Sequence, residues 1–126
     1  MPGVFTGPKS QMVILNGEAT VRYLLIRLDH ARLSPTERIT ALGHELHHAL
    51  EVAAAPEARD GAGLVRLYRR IGWETTRDRF ESSEAQAVAF RIREQLRAYD
   101  KAARLARRQI RTADISVATG VGSAQP

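Results

Sequence analysis

Apolar and polar positions change their period several times along this chain, and the changes predict its elements. QMVILN is a short apolar run rich in β-forming residues; GEAT follows, and then VRYLLIRLD. Two such runs around a Gly-containing turn read as a β-hairpin, Gln11 to Asn16 and Thr20 to Asp29. In the second strand Val21, Tyr23 and Leu25 point one way while Leu24, Ile26 and Leu28 point the other. Both faces are apolar, so helix is expected over at least one of them. Residues 1–10, with Pro2, Gly3, Gly7 and Pro8, read as a flexible lead-in.

The period then becomes helical. In SPTERITALGHELHHALEVAAA, Ser34 is followed three positions later by Glu37, a capping box, and Pro35 takes the first helical position. Ile39, Leu42, Leu46, Ala49, Leu50 and Ala53 recur at helical spacing and predict one apolar face turned to the core. Pro56 and PEARDGAG end this helix, and LVRLYRRIGW predicts a short second one stopped near Gly72. ETTRDRFESS reads as a polar connection. A long helix follows from about Ser83 to Arg111, with Ala87, Phe90, Leu96, Ala103 and Ile110 among its expected buried positions. Residues 113–126 read as a flexible tail. These elements predict one small α+β domain over residues 11–112, a hairpin or small sheet packed on the first helix plus a long C-terminal helix.

The first helix carries the chemistry. His44-Glu45-Leu46-His47-His48 is an H-E-x-x-H pattern. On a helix, residues i and i+4 lie one above the other, so His44 and His48 can aim ring nitrogens at one ion. Glu45 is rotated by about 100° from His44 and can sit beside that ion without ligating it. If the apolar face points inward, His44 and His48 lie almost opposite it, lining a cleft or facing solvent. His47 is less well aimed and reads as a surface or supporting residue. Catalytic zinc usually has three protein ligands. The chain has no Cys, so the third must come from His, Asp or Glu. Glu81 is the first choice, Glu84 the second and His30 a distant third, because the small residues Ser82, Ser83, Ala85 and Ala87 would let the long helix pack close to the His helix. Against this stands the plainer reading of an exposed helix whose histidines do nothing, with each glutamate merely facing a helix dipole.

Composition changes the picture little. At 126 residues, 44% hydrophobic and 26% charged, the chain suits one soluble globular domain. No basic segment precedes a long apolar run, and no apolar stretch is long enough to span a membrane, so a cytoplasmic location is expected, or a secreted one if an upstream segment is missing. The net charge of +5 concentrates between Arg91 and Arg111, where eight basic residues face only Glu94 and Asp100. Such a stripe can attract nucleic acid, but a solvated helix surface explains it as well, and Tyr99 is its only aromatic residue.

With GHELHHALE and the later FESS, the sequence resembles the zincin metallopeptidases of the gluzincin type, and in particular small bacterial proteins with a GHELxHALE core. The likeness runs from about Val21 to Leu96. It implies a minimal zincin-like domain and a zinc-dependent peptidase acting on peptides or proteins. His44, His48 and Glu81 would be ligands to one Zn2+, with Glu84 the alternative third ligand, and Glu45 the general base. It further implies that the strand bearing Tyr23, Leu24 and Leu25 pairs with extended substrate. Tyr23, Tyr68, His47 and Arg79 are the candidates to stabilise an oxyanion. The chain lacks the NExxSD context of many gluzincins and any third His after His48. A non-catalytic pseudo-peptidase that binds peptide or protein is the alternative, and a basic nucleic-acid-binding domain ranks third.

Overall fold

A computed structural model describes residues 4–7, 9–16 and 21–120. Five strands and three helices alternate along them: β1 (Val4–Gly7), β2 (Ser10–Asn16), β3 (Tyr23–Leu28), α1 (Pro35–Ala53), α2 (Gly61–Ile71), β4 (Trp73–Thr76), β5 (Arg79–Glu81) and α3 (Ser83–Gly120). The chain divides into two compact units, Met1–Arg93 and Glu94–Pro126. This is a small α+β fold. No helix among the described residues is long and apolar enough to cross a membrane.

In the first unit β3, β2 and β1 form one antiparallel set and β5 with β4 another; a parallel pairing of Val4 with Arg79 joins them in the order β3-β2-β1-β5-β4. The expected hairpin is present as β2 and β3, with Ser10 opposite Leu28 and Ile14 opposite Leu24. Its turn, residues 17–20, lies outside the described residues. Two strands were not expected. Val4–Gly7 is β1 rather than a flexible lead-in, and the supposed polar connection after Gly72 is the β4–β5 hairpin. Asp78 makes that second turn with φ 58°, a left-handed conformation that Asp adopts more readily than most residues.

The capping box of α1 forms as predicted: Glu37 N–H donates to the Ser34 hydroxyl, and Ser34 N–H donates to the Glu37 carboxylate at 2.7 Å. At its other end Arg22 donates to the carbonyls of Val52 (2.7 Å), Ala55 (2.8 Å) and Ala53 (3.1 Å), neutralising acceptors that a helix terminus leaves open. The core unites Met12 and Ile14 of β2 with Val52 of α1, Leu64, Leu67 and Tyr68 of α2, and Phe80 of β5. Leu24 and Ile26 pack against it from β3.

The orientation of α1 corrects the sequence reading. Its apolar face is outward: Ile39 is 52% exposed and Leu50 65%, with Leu42 and Leu46 exposed between them. The inward residues are Thr40, Glu45, His48 and Val52. The expected burial along α3 also shifts by a fraction of a turn. Ala85 and Ala89 are buried, while Ala87, Phe90 and Ile110 are exposed and Leu96 and Ala103 are half-buried. The helix continues past Arg111 to Gly120, so residues 113–120 are helical rather than a loose tail.

Candidate metal centre

Two glycines let the elements around the site come close. A Cβ on Gly43 of α1 would lie 2.1 Å from the Ile92 side chain of α3, and one on Gly72 would lie 2.0 Å from the backbone carbonyl of Glu81. Gly72 therefore allows the last residue of β5 to sit directly against the end of α2, which sets where the Glu81 side chain starts. From there its carboxylate reaches α1.

His44, His48 and Glu81 come together. His44 Nε2 is 3.0 Å from both carboxylate oxygens of Glu81, and His48 Nε2 is 3.2 Å from Oε1. The Ser82 N–H donates to Glu81 Oε1 at 2.9 Å and holds the carboxylate in place. The other ring nitrogens face different carboxylates. His44 Nδ1 is 3.4 Å from Glu45 Oε1, and His48 Nδ1 is 2.9 Å from Glu51 Oε2. Each imidazole is thus flanked by a carboxylate at each nitrogen. A neutral ring has one N–H and one lone pair, so it can satisfy only one of the two. The arrangement calls either for imidazolium rings or for a cation beside the lone pairs.

The charge distribution bears this out for the proton. Burial works against a charged His44, but hydrogen bonds to Glu45 and Glu81 outweigh it and raise the ring to about 9. For His48, burial again opposes charge, and the bonds to Glu51 and Glu81 again prevail, so its value is raised. Burial would raise the Glu81 carboxyl, yet the two histidines hold it down at about 2. Glu51 is also lowered: burial opposes its charge, and bonds from His48, Ser82 and Tyr68 more than compensate.

Glu51 organises the side of the site away from Glu81. Tyr68 OH donates to its Oε2 and Ser82 OH donates to its Oε1. Tyr68 is fully buried, and its hydroxyl lies 3.0 Å from His48 Nδ1. Glu51 is not among the residues that the sequence singled out; its position three residues after His48, on the same side of the helix, was the available signal. Glu45 is fully buried. Its Oε1 accepts from the Ser10 hydroxyl at 2.6 Å, and its Oε2 has no hydrogen-bond partner among the described residues.

No family model, curated protein or solved structure matches this chain.

The remaining candidates are not brought to the centre. Glu84 is exposed on the first turn of α3 and His30 is exposed beyond β3. Tyr23 is exposed, and Arg79 is exposed on β5. His47 is half-buried with Nε2 3.6 Å from Glu51 Oε1, and so stands at the rim of the Glu51 network. Tyr68 is inside that network, on the far side of His48 from Glu81. Strand β3 is at one end of the sheet order, with the Tyr23 side chain outward and Leu24 and Leu25 half-buried. A cleft of about 540 Å³ opens beside the cluster, lined by His44, Glu81, Ser10, Thr40, Gln86 and Arg93 among others.

The donor set fits a divalent metal. Nitrogen and oxygen ligands about 2.0–2.1 Å from a tetrahedral zinc lie roughly 3.3 Å apart, close to the 3.0 and 3.2 Å observed between Glu81 Oε1 and the two ring nitrogens. All three ligand atoms fall within 4.8 Å of one another. Nδ1 of each histidine faces a carboxylate, the arrangement that fixes a ligating ring's tautomer and leaves Nε2 to bind.

Proposed function

We propose that this chain is a zinc-dependent peptidase of the zincin type, in which His44, His48 and Glu81 hold the ion and Glu45 is the general base. The observation that carries the reading is the approach of His44 Nε2 and His48 Nε2 to one carboxylate, each ring braced from behind by another. When bound, zinc supplies Lewis acidity toward a carbonyl oxygen and makes water a stronger acid near neutral pH.

The chain's own residues supply the rest. Glu51, supported by Tyr68 and Ser82, orients His48. Ser82 N–H orients Glu81. Ser10 fixes one oxygen of Glu45, and the other, Oε2, has no hydrogen-bond partner among the described residues and is the atom that would accept a proton from water and return it to the leaving amine. The cleft beside His44 and Glu81 takes the peptide, and β3, at the end of the sheet, offers backbone groups for an extended chain.

One observation favours a second reading. Glu45 has no exposed surface and is not among the residues lining the cleft, as suits a pseudo-peptidase that keeps the metal cluster and binds peptide or protein without cleaving it.

The test begins with metal analysis of protein purified without a His-tag. Wild type should hold close to one zinc per chain, and Glu81→Ala should lose it; a wild type that folds fully and never takes up metal ends the peptidase reading. Glu45→Gln should keep its zinc and stop cleavage of a peptide library. If wild type and Glu45→Gln both retain zinc and neither cleaves, the binding module replaces the enzyme.

A further inference from the structure

From Glu94 to Gly120, α3 forms the described part of the second compact unit, and only Leu96 and Ala103 in it are even half-buried. A helix this long and this exposed needs a source of stability beyond its own hydrogen bonds. Its sequence holds one. Leu96, Tyr99, Ala103, Ala106, Ile110 and Ala113 alternate at spacings of three and four residues, and Val117 continues the series. That is a heptad repeat with Leu96, Ala103, Ile110 and Val117 at a and Tyr99, Ala106 and Ala113 at d, with no charge anywhere in the seam. The segment spans about four heptads, the length at which such a repeat is informative. Tyr99 is 73% exposed and Ile110 62%, so the seam is uncovered. Leu105 and Ile115 are the exposed large aliphatic residues outside it.

The flanking positions select a partner. The arginines Arg97, Arg104, Arg108 and Arg111 occupy outer positions of the repeat. Beside the seam, the g positions Gln95, Ala102, Gln109 and Ser116 are neutral, and the e positions carry Asp100, Arg107 and Asp114. In an antiparallel pair e faces e of the other helix, whereas in a parallel pair e faces g. Setting Ala103 of one helix against Ala106 of a second copy places Asp100 of each opposite Arg107 of the other, twice, by symmetry. The same register sets Leu96 against Ala113 and Tyr99 against Ile110, so each outer layer matches a large residue with a smaller or shape-compatible one. Two alanine layers lie at the symmetry axis, where the backbones can approach closely. A parallel pair would set Asp100 against the neutral Gln95 and gain nothing from either charge. Among the described residues neither Asp100 nor Arg107 has an ion-pair partner in its own chain.

We infer that residues 94–120 of α3 pair with the same segment of a second copy as an antiparallel two-stranded coiled coil, in the register that opposes Asp100 to Arg107. The pairing makes the protein a homodimer through residues that are not part of the His44–His48–Glu81 cluster, and it stands whether or not the chain is a peptidase.

Sedimentation equilibrium on the full chain reads the dimer directly. Wild type should dimerise reversibly. Asp100→Arg places like charges together at both symmetric contacts and should raise the dimer dissociation constant about tenfold or more. Adding Arg107→Asp should restore it to near the wild-type value, which a fold defect would not allow. Orientation is read by disulfide trapping, since the native chain has no cysteine. Leu96→Cys mixed with Ala113→Cys should cross-link under mild oxidation, and Leu96→Cys alone should not. A monomer at all concentrations overturns the proposal, as does a dimer that Asp100→Arg leaves untouched or that Leu96→Cys alone cross-links. A monomer whose arginine-rich helix shifts DNA or RNA in a salt-dependent way also overturns it, in favour of a nucleic-acid partner.

Discussion

Helices α1 and α2 are both amphipathic, lie in the same unit and contribute to the same core, yet they present opposite faces to it. In α2 the apolar residues Leu64, Leu67 and Tyr68 are buried while Arg66, Arg69 and Arg70 are outward. In α1 the polar residues Glu45 and His48 are buried while Leu42, Leu46 and Leu50 are exposed. Periodicity identifies an apolar face, but it does not decide which face turns inward. That depends on what the polar groups can find. Arginines on α2 would enter the core as charges without carboxylates to meet them. The histidines and glutamates of α1 enter together with Ser10, Tyr68, Glu81 and Ser82, which bond to them. Buried polar groups are tolerated when bonded and costly when not.

The comparison predicts that the inward polar network of α1 matters as much as the apolar contacts of α2. Glu51→Ala removes the acceptor shared by Tyr68 and Ser82 and the carboxylate facing His48. Its cost should match that of Leu64→Ala, about 3 kcal/mol for each, in urea unfolding of zinc-stripped protein. Zinc affinity of Glu51→Ala should fall by about 10–100-fold, as for lost supporting partners of metal ligands. A loss below about 1 kcal/mol for Glu51→Ala would make the network a surface feature.

Next in size is Gly72→Ala. The new methyl group would meet the backbone carbonyl of Glu81, not a side-chain tip that can swing away. Strand β5 must shift, with an expected cost of about 2–3 kcal/mol. Because the shift moves Glu81, zinc binding should weaken too. Gly43→Ala offers the contrast: it meets the end of Ile92, which can change rotamer, and it gains helix propensity, so its net effect should be within about 1 kcal/mol.

The His–Glu cluster also predicts pH dependence, with opposite signs on the two sides. His44 is raised from its ordinary 6.5 to about 9, so its stabilisation is complete below pH 6.5 and is lost as pH rises through about 9. Glu81 is lowered from 4.5 to about 2, so its contribution is complete above pH 4.5 and is lost as pH falls through about 2. Zinc-stripped protein should therefore be most stable between pH 4.5 and 6.5 and lose on the order of 2 kcal/mol by pH 9.5. Zinc should remove the alkaline loss, because the proton leaves His44 when the ring binds metal. Denaturation midpoints at pH 6 and 9.5, with and without zinc, check both halves.

How far the sequence reveals this arrangement follows from which interactions are local. The capping box, the helix around H-E-x-x-H and the β2–β3 hairpin depend on neighbours in the chain, and all were legible. Of the two glutamates weighed as a third ligand, Glu81 lies beside His44 and His48 while Glu84 is exposed, and Glu81 ends a strand rather than beginning a helix. What was missed is either short or depends on distant partners. Strand β1 has only four residues, pairs mainly with the neighbouring β2, from Val4 opposite Val13 to Gly7 opposite Ser10, and was obscured by Pro2, Gly3, Gly7 and Pro8 in its sequence; β4–β5 is too short for its alternation to stand out. The end of α3 lay beyond Arg111 because no stop signal precedes Gly120. The orientation of α1 was hidden for the same reason: the groups that make its polar face fit for burial come from β2, α2, β5 and the start of α3.

The smallest expected effect tests that orientation most directly. Leu50 is 65% exposed on α1, and Gln has nearly the same helix propensity as Leu. Leu50→Gln should therefore change stability by about 0.5 kcal/mol or less. The prediction is sharp because an inward-facing apolar stripe would give the opposite result. There the substitution would bury an amide and lose apolar contacts, at a cost of several kcal/mol. Leu46→Gln, one turn earlier on the same face, should behave alike, and the double variant should be additive, because neither residue belongs to the core that an inward stripe would build. If both substitutions instead unfolded the protein, α1 would have to be turned by about half a circle about its axis. His44 and His48 would then leave Glu81, and the proposed metal centre would go with them.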